Sequence, residues 1–62
     1  MKVKDLLKVS PEGTIIDISK DENGTTLYKG RNTKIPKEFL KKEILWLTNY
    51  TEDENIIMNI NI

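Results

Sequence analysis

Residues 43–62 read EILWLTNYTEDENIIMNINI, and the alternation within this stretch decides the fold. Ile44, Trp46, Thr48 and Tyr50 share one face of an extended segment, and Ile56, Met58, Ile60 and Ile62 repeat the pattern after a polar TEDEN loop. Side chains of a strand alternate between two faces, so the pattern predicts a hairpin. Trp46 and Tyr50 are expected in the core, because a small domain needs aromatic bulk there. The last strand, IIMNINI, has strong β character and no charged side chain. As a bare edge it would invite aggregation, so it is expected inside a sheet or in a dimer interface.

Upstream, TIIDIS (14–19) and TTLYKG (25–30) are two further strand candidates. The junction, DENGTT (21–26), has three readings: a cation loop, a glycan acceptor or a turn. A calcium loop of the EF-hand type needs alternating ligands over about twelve residues, glycine at the sixth and glutamate at the twelfth. Here Gly24 is the fourth residue and no carboxylate stands at the twelfth. Asn23-Gly24-Thr25 and Asn49-Tyr50-Thr51 both match the glycosylation pattern. With no export signal beside them, chance in a chain rich in Asn and Thr accounts for both.

The turn reading has a mechanism. Glu22 and Asn23 suit the centre of a type I turn, and Gly24 supplies the positive φ of a bulged three-residue loop. Asp21 then faces Thr25, Ile18 faces Tyr28, Asp17 faces Lys29 and Ile16 faces Gly30. A two-residue Asn23-Gly24 turn would move the partner of Ile18 to Lys29; pairing an aromatic with a β-branched residue favours the bulged register. Strand 2, with Lys29 and then Arg31, reads as a charged, protected edge.

Two short helices complete the pattern. Val3, Leu6 and Leu7 form an apolar stripe at helical spacing between Lys2 and Lys8, and Pro11 and Gly13 stop it. PKEFLKK places Pro36 at a first helical position, Glu38 early, and Lys41 and Lys42 late, in keeping with the helix dipole. The expected fold is α+β in the order αββαββ, a four-stranded, mainly antiparallel sheet with two short helices on one face. Lys4–Lys8 and Lys37–Lys41 match in pattern, which suggests two αββ units, although any short amphipathic helix shares this pattern.

Sixty-two residues make a single small domain, 1–62, which buries only about 60% of its unfolded surface. The chain has no Cys and no His, which removes disulfides, thiolate nucleophiles, imidazole bases, zinc sites and nearly all transition-metal sites. Ser10 and Ser19 therefore lack an activating base, and Gly13, Gly24 and Gly30 are too scattered to cradle phosphates. No enzyme activity, catalytic residue, cofactor, metal or small-molecule substrate is expected. No uncharged run is longer than Asn55–Ile62, which is too short to span a bilayer, and MKVKDLLKV lacks the apolar core of a signal peptide. The expected location is cytoplasmic, with no membrane association.

Charge and apolar parity suggest two surfaces. The formal charge is zero overall, but residues 1–28 sum to −1, 29–42 to +5 and 43–62 to −4. Lys29, Arg31, Lys34, Lys37, Lys41 and Lys42 are candidate nucleic-acid contacts, with Tyr28 as a stacking ring. A single Arg, a pI near 6.2 and the lack of a recognition motif favour a solvated basic face instead. Leu27, Leu45, Leu47 and Ile57 fall on the parity opposite the expected core. An antiparallel sheet covered on one side commonly has a polar second face, so these four are a candidate protein interface.

VKDLL, GTIIDI, NG, LYKG and IP, followed by a charged short helix and a C-terminal hairpin, resemble short uncharacterised proteins carried by phages and mobile elements of AT-rich Gram-positive bacteria. Lys, Ile and Asn, with AT-rich codons, supply 24 of the 62 residues. The resemblance implies a setting and no site residues. The expected function is a small protein-interaction module that binds a protein partner or itself as a homodimer, through an exposed sheet face or edge; the alternative is a nucleic-acid-binding accessory protein using residues 29–42.

Overall fold

The computed structural model describes residues 1–62. Its elements are helix α1 (Val3–Val9), strands β1 (Ile15–Ser19) and β2 (Thr26–Arg31), two 3₁₀ turns (Asn32–Lys34 and Lys37–Phe39), and strands β3 (Trp46–Glu52) and β4 (Asn55–Asn61). The sheet order is β2-β1-β4-β3. β1 and β2 are antiparallel, as are β3 and β4, while the central β1 and β4 are parallel. The fold is therefore α+β with a mixed sheet, one helix where two were expected, and a parallel centre that the hairpin pattern did not reveal.

The two most apolar strands occupy the centre, which is one of the two places expected for β4, and β2 is an edge. Ile16, Ile18 and Ile60 lie under Val3 and Leu6 of α1 and are fully buried, forming the core with them. Asp5 reaches back to accept the Lys2 amide, satisfying one of the free N–H groups at the start of α1. On β2, Tyr28 folds over Gly30, where an added Cβ would lie 2.7 Å from its hydroxyl, and donates to the Arg31 carbonyl. Tyr28 thereby packs against the core cluster that contains Ile16, the partner of Gly30.

The segment expected to be a second helix is only a 3₁₀ turn. Its bonds run from residue i to i+3: the Phe39 amide to the Pro36 carbonyl, Leu40 to Lys37 and Lys42 to Phe39. The carbonyls of Leu40 and Lys42 instead accept the amides of Lys4 and Val3, both at 3.0 Å. The unmet donors of α1 thus take the acceptors near the end of this segment. Nor are there two equivalent αββ units, since the inner strand is the first of one hairpin and the second of the other.

The first hairpin has the expected register over most of its length: Ile18 faces Tyr28, Asp17 faces Lys29 and Ile16 faces Gly30. Its turn differs by one residue. The Lys20 amide bonds Thr25, and the Lys20 carbonyl accepts from Asn23 and Gly24, closing a four-residue loop. Ser19 then pairs with Thr26, and a bulge at Leu27 restores the register. Gly24 has the expected positive φ, at 72°.

Candidate interaction edge and open sheet face

Paired residues lie on the same side of the sheet, so the pairing register assigns the two faces. Tyr28, Ile18, Ile60 and Leu47 form one row on the covered face; Lys29, Asp17, Asn59 and Thr48 form one on the open face. This reverses the expected parity of β3. Trp46, Thr48 and Tyr50 lie on the open side, and Trp46 is 51% exposed rather than in the core. Their polar atoms explain why: Trp46 Nε1 donates to Asp21, and Tyr50 Oη donates to Asp17 at 2.7 Å. Indole and phenol groups settle where the ring can cover apolar surface and the N–H or O–H can find an acceptor.

Asp17, Ser19 and Asn61 are buried beneath this layer. Asp17 accepts from Ser19 Oγ at 3.0 Å with one carboxylate oxygen and from Tyr50 with the other. Asn59 Nδ2 donates to the Asp17 carbonyl and to Ser19 Oγ, and Asn61 Nδ2 donates to Asn59. No buried side-chain polar atom is left without a partner. The bond to Asp17, reinforced by burial and by the carboxylate charge, raises the Tyr50 pKa above the ordinary tyrosine range. Lys29 bonds Glu52 at 2.6 Å, which raises its own pKa, and its ammonium lies 5.8 Å from the centre of the Tyr50 ring. The Asp17 carboxylate oxygens, Ser19 Oγ, Tyr50 Oη and Asn59 Oδ1 are all engaged in structural bonds, and no three carboxylates converge as a metal-ligand set.

The four apolar interface candidates are not one patch. Ile57 is only 2% exposed and lies on the open face between Ile15 and Tyr50. Leu27 is at the bulge of β2, at the opposite edge from β3, while Leu47 is on the covered face and Leu45 immediately precedes β3. The sequence reading missed Ile56, 72% exposed, and the partly exposed Met58. With Thr14, Leu47, Thr48 and Asn49 these two line a shallow groove of 290 Å³. A signal for the correct parity was present: Asp17, Ser19, Asn59 and Asn61 define a polar side to which Trp46 and Tyr50, each with a polar atom, belong.

The basic candidates are also divided. Lys29 is on the open face and bound to Glu52, whereas the 37–42 segment lies on the other side, where Phe39 packs against the core. Arg31 ends β2 and Lys34 ends the first 3₁₀ turn. Lys41 follows the second turn, and Lys42 lines a wider, 750 Å³ depression whose charges are mixed: Lys20, Glu38 and Glu43 share it.

The two edges of the sheet differ in protection. β2 carries a bulge, Lys29 and Arg31, whereas β3 has no Lys, no Pro and a single charge, Glu52, at its end. Which backbone groups β3 exposes follows from the ladder. The Ile62 amide and carbonyl serve the β1 side, bonding Ser19 and Asp21, and the Asn61 carbonyl accepts from Leu45 on the β3 side. Odd-numbered residues of β4 therefore face β3, and Trp46, Thr48, Tyr50 and Glu52 face β4 in return. The N–H and C=O groups of Leu47, Asn49 and Thr51 point outward without partners.

Fold and edge together define a small α+β domain whose mixed sheet is covered on one face and open along one unguarded strand. The chain matches no family model, no curated protein and no solved structure. No helix is long and apolar enough to cross a membrane.

Proposed function

We propose that the protein is a small, non-enzymatic protein-interaction module that engages its partner by strand addition at β3. The observation that carries this reading is the unguarded edge: seven residues with one terminal charge, Trp46 and Leu47 among them exposed, beside exposed Leu45 and Ile56. In strand addition, main-chain hydrogen bonds give affinity and neighbouring side chains give specificity. The Leu47–Ile56–Met58 groove suits an apolar side chain from an added strand. The division of the basic residues between two faces weighs against a continuous phosphate-binding surface.

Asn49→Pro tests the reading. It removes an outward N–H and blocks an incoming strand, while leaving the bonds to β4 in place. Immobilised wild-type protein should retain a protein partner from lysate of the native host that the folded Asn49→Pro variant does not. Equal retention by both would refute the edge. Nucleic acid retained at low salt and released by Lys37→Glu or Lys41→Glu would replace this reading with binding through the basic segment.

A further inference from the structure

We infer that the strand added to β3 is the β3 of a second copy of this chain, paired antiparallel about a two-fold axis through Asn49. The inference rests on the reading of β3 as an interaction edge and names its occupant. Three features of the edge are self-complementary. First, the outward residues Leu47, Asn49 and Thr51 are symmetric about Asn49, so an antiparallel copy sets Asn49 against Asn49 and Leu47 against Thr51. Because directly opposed, hydrogen-bonded residues exchange two bonds each, six backbone bonds form and every outward group on both copies is satisfied.

Second, the charges are compatible with self-pairing. β3 carries no charge from Trp46 to Thr51. In this register Glu52 falls opposite Trp46 of the other copy rather than opposite its own counterpart. It also arrives paired with Lys29 of its own chain, at 2.6 Å. Third, the apolar groups lie where a copy would cover them. Leu47 is 43% and Trp46 51% exposed on opposite faces of the strand, so a continued sheet shields surface on both sides. Extension to eight strands removes the one edge without protection and leaves the bulged, basic β2 at both ends.

The test combines mass, amide exchange and a cross-link on the intact chain. Light scattering should give twice 7.2 kDa for wild type and a single-chain mass for Asn49→Pro. In wild type, the amides of Leu47, Asn49 and Thr51 should exchange slowly, a readout that needs no variant. The chain has no cysteine, so Asn49→Cys introduces a single thiol. Hydrogen-bonded partners across such a pair have Cα atoms about 5.5 Å apart, within disulfide range. It should therefore oxidise to a covalent dimer at least tenfold faster than Glu22→Cys. A single-chain mass at every concentration with fast exchange at the three amides overturns the inference, as does a dimer that Asn49→Pro leaves intact. If wild type is monomeric yet retains a lysate partner that Asn49→Pro loses, the edge reading survives with a different occupant. If that difference is also absent, both readings fail.

Discussion

The β3–β4 hairpin closes through Asp53 and Glu54, with φ of 50° and 68°, in a two-residue turn between the paired Glu52 and Asn55. Two successive positive φ values define a type I′ turn, which favours Asn-Gly, yet neither residue here is glycine. A left-handed conformation costs a side-chain-bearing residue about 1–2 kcal/mol, and Glu54 has no short polar side chain to offset that cost. Glu54→Gly removes this strain but gives the unfolded chain more freedom, at a cost of about 0.4–1 kcal/mol. The expected net stabilisation is about 0.5–1 kcal/mol, or a rise in Tm of about 2–8 °C for a chain of this size. Thermal denaturation followed by circular dichroism at one fixed protein concentration measures it, since self-association would otherwise shift Tm. Gly24→Ala is the mirror experiment. With φ at 72° and nothing within 4 Å of an added Cβ, it adds backbone strain without a packing clash and, after the same offset from the unfolded chain, should cost about 0.5–1 kcal/mol. A Glu54→Gly protein no more stable than wild type, at unchanged concentration, would refute the assignment of strain to this turn.

Tyr50→Phe leaves one oxygen of the buried Asp17 carboxylate without its donor and should cost about 1–3 kcal/mol in urea denaturation. The raised Tyr50 pKa favours the protonated phenol in the folded state. Its stabilising effect is therefore complete below the ordinary value of 10.0 and is lost as pH rises from there through the folded pKa. Wild-type stability should fall in that alkaline window, and Tyr50→Phe should reduce the slope, leaving a remainder from Lys29, which is also held protonated above its ordinary range. Asp5 works in the opposite sense: the Lys2 amide lowers its pKa, so its stabilising effect is lost as pH falls below the ordinary 3.8, and Asp5→Asn should flatten the acid limb of the same profile. Ile18→Ala, at a fully buried position between Tyr28 and Ile60, should cost about 2–5 kcal/mol. A core this small supplies only about 3–5 kcal/mol, so that variant should be largely unfolded at 37 °C by circular dichroism.

Much of the secondary structure was legible because it depends on local chemistry. Alternation located all four strands, Gly24 marked the positive-φ turn residue, and the lack of charge in IIMNINI narrowed β4 to the inside of the sheet or a dimer interface, of which the fold takes the first. The pairing of Ile18 with Tyr28 followed from side-chain preference, although the turn and the bulge at Leu27 share the extra residue differently than expected. The candidate surface was less legible. Leu45 and Leu47 do flank the edge, but Ile57 is buried and Ile56 and Met58 take its place. Period-two alternation says that two sets of residues oppose each other without saying which set meets the helix.

The sequence by itself determined the strands, the positive-φ residue of the first turn, and the charged strand β2 that tolerates an edge, since these depend on residue type and near neighbours. Only the tertiary structure decided that β1 and β4 lie parallel, that PKEFLKK surrenders its carbonyls to α1, and that Trp46 and Tyr50 turn toward Asp21 and Asp17. Each of these joins residues 25 or more positions apart, and hydrogen-bond partners at that distance exist only once the chain has folded.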